Sequence, residues 1–596
     1  MKKKKKKYKP SLHEFKGQPT LPRRDGLILF CRILLIVIGC LVYSNSLQGE
    51  FIFDDVPQIV DNGHIRNIFD WGAIFKNTRR PVLYLTFAAN HALGGVNVWG
   101  YHAVNLLMHL LGANILFSIL LRTFISSRLR PALPFPESLI LSGGISLLWM
   151  VHPLSTQAVS FVVQRAESLA SLFYLVTLYF FIRYVAAAQQ RRWMAVGIIS
   201  CALGMATKEI MATAPLMVLL YDRIFVTAGW REIWRRHGLF HVGLFLTWSL
   251  AVFLLLVMKP ESVPTAGFNI SRMTPWEYLL TQCQVVVHYL KLTFLGGPLL
   301  FDYYDWPIVK NILTVIPEFI FLAGLLGMTV WQVRKNSPLG FWAAWFFLIL
   351  APTSSFMPIK DVAFEYRMYL PLAGILAISL LGVYKILERW IIIHRWRPLI
   401  LAGIILAIGI RFGYLTYARN IDYRSALSIW QDTVMKRPNN PRAHNNLGQT
   451  LFTQNRLEEA EKHYLEAVRL EPDYADALCN LGTLFSSQKK KEQAFLFLRK
   501  ALAIDPKFAI AHNNLGALLA DTGKFEEAVG HYQETLELGF KDAGVYCNLG
   551  IALAQIGKYD EAVINLEEAL QLNPKFTIAQ EELQNLKNFL TAHQRK

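Results

Sequence analysis

Residues 27–62 read "LILFCRILLIVIGCLVYSNSLQGEFIFDDVPQIVDN". The first part, 27–47, is an apolar run of the length a helix needs to cross a bilayer. Directly after it stand two adjacent carboxylates, Asp54 and Asp55. Acids beside hydrocarbon are costly and are kept where they cap, pair or perform chemistry. The stretch therefore sets two expectations: a membrane-spanning fold, and a polar site where the first helix leaves the membrane.

The rest of the chain extends the first expectation. Of 596 residues, 53% are hydrophobic and 13% aromatic, and the apolar residues fall in blocks up to about Tyr417. Beyond it the composition turns to charged, Ala-rich and Leu-rich helix formers. The formal charge is +18. About half of the excess lies before Asp25, where Lys2–Lys7, Lys9, Lys16, Arg23 and Arg24 oppose only Glu14. A basic tail can bind nucleic acid, but an apolar helix follows this one at once. It is read as a cytoplasmic tail, 1–26, that fixes orientation by the positive-inside rule, with no nucleic-acid partner. The run 27–47 is too long for a signal-peptide core and lacks a closely following small-residue cleavage pattern, so a retained helix is expected. Six cysteines without CxxC spacing imply neither a disulfide framework nor a zinc site.

Loop charges set the topology. Spans are expected at 27–47, about 100–122, 137–151, 157–184, 193–207, 209–226 and 238–258, with the basic loops around Arg122, Arg128 and Arg130, "QQRRW" and "WREIWRRH" inside. The stretch 276–300 is ambiguous and is taken as non-spanning, because that places "WQVRKN" and "HRWR" inside after 313–331 and 368–388. The expectation is an all-α, multispan membrane domain, 27–417, with about 11 crossings, followed by an outside domain, 418–596.

That second domain is periodic. Gly448, Gly482, Gly516 and Gly550 recur every 34 residues, each after Asn-Leu, and Ala460, Ala494, Ala528 and Ala562 keep the same spacing. Pro438, Pro472, Pro506 and Pro574 lie on the lattice, which Phe540 breaks once. A 34-residue helix–turn–helix unit with small residues at these points resembles the tetratricopeptide repeat. Four full repeats and a preceding partial one are expected. Asn446, Asn480, Asn514 and Asn548 recur at one position, as in the similar "NLG" repeats of O-GlcNAc transferase. An amide ladder can hold an extended peptide backbone without reading its sequence. The plainer alternative is a solvated consensus residue.

Three further polar clusters share the predicted outer face with the paired acids. "HPLSTQAVSFVVQRAE" holds His152, Arg165 and Glu167; "MATKEIMATAP" holds Lys208 and Glu209; "PTSSFMPIKDVAFEYRMYLP" holds Lys360, Arg367 and Tyr369. Together they offer carboxylates for a general base and cations for an anionic headgroup. A purely structural role, with the acids capping helices or pairing with Arg79 and Arg80, is the alternative. The aromatic run "FDYYDWP", 301–307, is read as an interfacial belt, with Asp302 and Asp305 as alternative sugar-site residues.

The order "FDD", "RPV", "YHAVNLLMHLL", "VHPLSTQAVSFVVQRAE", "ATKE", "YRMYLP", then repeats, resembles the transmembrane and tetratricopeptide-containing O-mannosyltransferases, which share the plan of GT-C glycosyltransferases. That resemblance implies a membrane enzyme moving a hexose from a polyprenyl-phosphate carrier to Ser or Thr hydroxyls of acceptor proteins, with the repeats capturing acceptor. It implies that Asp54 or Asp55 serves as general base. Arg367, then Arg165 and Lys208, would meet the donor phosphate, with His152, Glu167 and Glu209 in the same donor site; His152 is equally readable as a packed interfacial histidine. Some GT-C enzymes use a divalent metal; no dedicated cage is legible here and none is expected. The Lys-rich start and compact repeat array read as bacterial, placing the enzyme in the cytoplasmic membrane among its lipids with the repeats outside. The alternatives are a related enzyme acting on envelope glycans and a non-enzymatic anchored scaffold.

Overall fold

The computed structural model describes residues 25–76, 78–125, 133–227, 229–258 and 273–594. Most of the basic tail (1–24), Arg128 and Arg130, and most of the Pro- and Ser-containing loop after the seventh expected span (259–272) lie outside the described residues. Regular structure in the described residues is helical, with no β-strand. The chain divides into two compact units, Met1–Ile429 and Trp430–Lys596.

The first unit is a bundle of membrane-type helices. Among the described residues, six are long and apolar enough to cross a bilayer: Asp25–Val42, Val98–Phe124, Val162–Ala186, Trp230–Val257, Ile312–Arg334 and Trp396–Asp422. A seventh span forms if Phe135–Met150 and Pro153–Ser160, bent by 54°, count as one. The bend has a local cause. Proline at 153 has no N–H to continue the helix and pushes the residue before it towards extended backbone; His152 accordingly sits at φ −73°, ψ 134°.

The expected count of about 11 rests, beyond these seven, on shorter or broken elements. The stretch 193–207 is the Arg191–Met205 helix of 15 residues, and Pro338–Leu350 has 13. The expected span 209–226 is a 3-10 turn, an eight-residue helix and a π turn in succession, consistent with Pro215 near the start of the short helix and a buried Asp222 at its end. The Leu372–Trp390 helix carries Lys385, Glu388 and Arg389 in its last turns. The ambiguous stretch 276–300 begins as the Pro275–Leu295 helix, opened by a Thr274–Glu277 capping box and closed by Gly296 in the left-handed region.

Aromatic side chains fill the core and donate inward. Trp149, Trp342 and Trp345 are fully buried. Trp149 Nε1 donates to the Tyr369 carbonyl (2.6 Å) and Trp345 Nε1 to that of Leu370 (2.9 Å). The His109 ring bridges the Tyr369 hydroxyl (2.6 Å) and the Met150 carbonyl (2.9 Å). Buried polar atoms need such partners, and these bonds lock the start of the Leu372–Trp390 helix against its neighbours.

The second unit is a solenoid of helix pairs: Pro441–Thr453 with Leu457–Leu470, Ala475–Ser487 with Lys491–Ile504, Ala509–Ala520 with Phe525–Glu537, and Ala543–Gln555 with Tyr559–Leu572, followed by Thr577–Gln594. The lattice glycines lie where the two helices of a pair nearly touch. A Cβ on Gly448, Gly482, Gly516 or Gly550 would stand 2.6–2.9 Å from Tyr464, Leu498, Tyr532 or Leu566, closer than any methyl group tolerates. The paired alanines, 460, 494, 528 and 562, are fully buried.

Candidate functional site

The paired acids of the first loop divide on inspection. Phe53 holds a left-handed backbone, φ 47°, rare for a bulky residue and a mark of local constraint. Beyond it Asp55 turns inward and is fully buried, while Asp54 is half-buried. Asp55 Oδ2 accepts the N–H of Ile52 (3.1 Å) and Oδ1 that of Val163 (2.7 Å). Its two oxygens thus staple the first loop to the turn before the Arg165–Ala186 helix. Burial pushes its carboxyl up to about 8, against the lowering effect of the two N–H bonds.

The donor-site candidates Arg165, Arg367, Lys208 and His152 are all engaged by the protein itself. Arg165 is fully buried and donates to Asn105 Oδ1 (2.7 Å), the Tyr101 carbonyl (3.0 Å), and both the carbonyl and the hydroxyl of Thr86 (3.2 and 3.3 Å), with its guanidinium over the Phe87 ring. Arg367 donates to the carbonyls of Asp361 (2.6 Å), Val362 (2.9 Å) and Thr353 (3.2 Å). It therefore clasps its own loop, where an anion-binding role was expected. His152 Nε2 donates to the Thr293 carbonyl (2.9 Å) and Nδ1 accepts the Leu154 N–H (3.1 Å), so the ring caps the short turn after it. Lys208 meets Glu167 at 2.5 Å, both under a tenth exposed, and lies 4.5 Å above the Tyr366 ring. Glu209 is paired with Arg80 at 3.0 Å on the exposed side.

Contacts nevertheless connect the four sequence clusters into one chain of largely buried side chains. Phe301 packs against Phe53 of the first loop (6.1 Å between centroids) and Phe161 (5.2 Å). Gln157 Nε2 donates to the Phe301 carbonyl and its Oε1 accepts the Tyr366 N–H, at 3.2 and 3.1 Å. Tyr366 then meets Lys208, and Lys208 meets Glu167. The "FDYYDWP" run is no interfacial belt: Phe301, Asp302 and Tyr303 are buried. Two participants escaped the sequence reading. Gln157 sits inside the quoted "HPLSTQ" but is uncharged. Glu365, in "FEYR", is fully buried and accepts the Leu300 N–H (2.5 Å) and the Tyr303 hydroxyl (2.9 Å). A carboxylate two residues before the arginine, in the apolar run that follows Asp361, was the available sign. No three His, Cys, Asp or Glu side chains among the described residues are grouped around a metal position.

In the solenoid the asparagine ladder is half-buried and partly spent between repeats. Asn480 Nδ2 donates to Asn445 Oδ1 and Asn514 Nδ2 to Thr483 Oγ1, both at 2.9 Å. The side-chain oxygens of Asn446 and Asn514 also accept the amides of the preceding Asn445 (3.3 Å) and Asn513 (3.5 Å), and each keeps a second lone pair for a further donor.

Comparison with known proteins follows this division. Models of the tetratricopeptide repeat match residues 475–508 and 508–575, and a TPR repeat model matches 448–489. Protein O-mannosyl-transferase Tmtc3 of Drosophila melanogaster is 26% identical over 546 residues, covering 78% of this chain and 57% of its own length. Protein O-mannosyl-transferase TMTC3 of Homo sapiens is 24% identical over 498 residues, covering 74% and 51%, and TMTC1 of Homo sapiens is 26% identical over 537 residues, covering 78% and 58%. The chain thus spans about half the length of these relatives. Among solved structures, the crystal structure of MamA protein aligns at 25% identity with 25% of this chain and 81% of its own, at a TM-score of 0.22. The molecule is a membrane helix bundle followed by tetratricopeptide repeats, and over three quarters of its length it is similar to protein O-mannosyl-transferases.

Proposed function

We propose that the chain is a membrane glycosyltransferase that moves a hexose, mannose by analogy with its relatives, from a polyprenyl-phosphate donor to Ser or Thr hydroxyls of proteins outside the cytoplasmic membrane. The observation that carries this reading is the split pair: a half-buried Asp54 beside an Asp55 whose two oxygens are bound to backbone N–H groups. Asp55 supports the loop, and Asp54 beside it reaches the surface.

In this mechanism Asp54 accepts the proton of the acceptor hydroxyl as its oxygen attacks the anomeric carbon. The bond from that carbon to the phosphate oxygen breaks, and polyprenyl phosphate leaves with the electron pair. The carboxylate also stabilises the oxocarbenium character of the transition state. Arg367 and Arg165 are committed to internal acceptors, so they position loops. The leaving phosphate is assigned to Arg80, which is exposed and would exchange its Glu209 partner for phosphate oxygens. Acceptor polypeptide would offer its backbone N–H groups to the asparagine carbonyl oxygens of the ladder.

The test is glycan mass profiling of envelope proteins in a deletion strain, complemented with wild type or Asp54→Asn. The proposal expects a hexose mass on Ser or Thr to vanish on deletion and to return only with wild type. Unchanged protein glycans in every strain would overturn it. Removing 438–596 then separates acceptor capture from chemistry, since transfer to a free small acceptor should survive the truncation.

A further inference from the structure

Two imidazole pairs recur two repeat periods apart. His444 of the Pro441–Thr453 helix faces His463 of its partner helix with Nδ1 atoms 3.0 Å apart, and His512 faces His531 with Nδ1 atoms 2.9 Å apart. Ring centroids are 5.2 Å apart in both pairs, tilted by 35° and 36°. The outer nitrogens are fixed alike: Nε2 of His444 lies 3.0 Å from the Pro438 carbonyl and Nε2 of His512 lies 3.1 Å from that of Pro506. A carbonyl only accepts, so each Nε2 carries the proton. Nδ1 of His444 and of His512 is therefore a bare lone pair aimed at the second ring.

That arrangement is how a metal-ligating histidine is held, with its far N–H on a backbone carbonyl that fixes the tautomer. In the metal-free pair the second ring fills the gap with its own Nδ1–H. A divalent cation can replace that proton, which moves to Nε2 of the half-buried His463 or His531 ring, so no net proton is released. Nitrogens 3.0 Å apart with metal arms of about 2.0–2.1 Å subtend roughly 90–100°, and a parting of a few tenths of an ångström reaches the tetrahedral angle. Burial lowers the His444, His463 and His531 values from the ordinary histidine range, keeping these rings neutral ligands.

The surroundings repeat as well. Glu459 and Glu466 flank His463 one turn before and after it, and Glu527 and Glu534 flank His531 in the same way. In the second repeat the equivalent positions hold Leu478, Phe497, Gln493 and Lys500; the fourth has Tyr546 and Asn565 and keeps the acids as Glu561 and Glu568, so the imidazoles set the first and third repeats apart. We propose that His444 with His463, and His512 with His531, form two equivalent sites for a divalent transition metal of the zinc class, each completed by water. Imidazole nitrogen is a preferred donor for such ions.

The test uses the full-length chain without a histidine tag, purified in detergent, stripped with chelator and titrated with zinc chloride against a chromophoric competitor. Wild type should bind two equivalents that His463→Phe reduces to one and the His463→Phe/His531→Phe double variant abolishes. Phenylalanine is what the second repeat carries at that position, which preserves packing. Zinc should also raise the melting temperature of wild type and not that of the double variant. X-ray absorption should report a nitrogen and oxygen shell with two imidazoles per metal. Zinc uptake unchanged in the double variant, or no uptake by wild type, overturns the proposal.

Discussion

Ionisable side chains are treated in opposite ways by the two units. In the membrane bundle, Lys208 and Glu167 pair under a tenth exposed, Arg165 spends its guanidinium on four internal acceptors, and Asp55 is closed over by two backbone N–H groups. In the solenoid, Arg456 with Glu459 and Arg469 with Glu466 pair one turn apart along exposed helix faces. Where water is scarce every charge must be satisfied by the protein; where water is plentiful the pairs contribute little. A buried charge in the bundle therefore marks a joint of the structure, whereas Asp54 and Arg80 still reach its surface.

The largest expected effect separates the two acids. Asp54→Asn should lower transfer by about 10²–10⁴-fold, the usual worth of a general base. Asp55→Asn should instead lower stability, since an amide NH₂ would face a backbone N–H at a cost of about 1–3 kcal/mol. Equal behaviour of the two variants in both assays would erase the distinction. Next, Lys208→Met should destabilise the bundle by about 3–5 kcal/mol by leaving Glu167 buried alone, and adding Glu167→Leu should recover much of the loss; a thermal-unfolding cycle reads the recovery.

In the solenoid the expectations come from space. Gly482→Ala should cost about 1–3 kcal/mol, because its Cβ would sit 2.6 Å from Leu498. Gly530→Ala, on an open and exposed helix face, should instead gain about 0.5–1 kcal/mol. Acidity provides a further contrast. Because the folded carboxyl of Asp55 titrates near 8 and an unfolded one near 4, the folded state binds the extra proton between these values. Its contribution is full below the unfolded value and is lost as pH rises towards 8. Unfolding midpoints should show this fall in wild type and not in Asp55→Asn. The smallest effect is Arg456→Ala, whose exposed pair should leave the melting temperature unmoved.

The solenoid was legible because its constraints are periodic: a glycine forced by close approach returns every 34 residues and identifies itself. The bundle was legible as a bundle, since apolar length alone calls for spans, but breaks such as that after His152 depend on how one proline meets its neighbours. Within the candidate site, residue type showed which segments converge and not what each side chain does there. Arg367 reads as a phosphate ligand in sequence, yet its acceptors are carbonyls of Thr353, Asp361 and Val362, supplied by a loop fold that no motif encodes. Gln157, which bridges two of the clusters, bears no charge to draw notice.

The bond from Val163 to Asp55 spans 108 residues of chain. During synthesis the first loop emerges long before its anchor exists, and its carboxyl must wait while two further membrane helices are made. Until the turn at 162–164 arrives, the loop has no fixed shape and the neighbouring acid no fixed address. The order of insertion is thereby built into the site: a chain stalled after its second helix carries both aspartates and still lacks the bond from Val163 that holds Asp55.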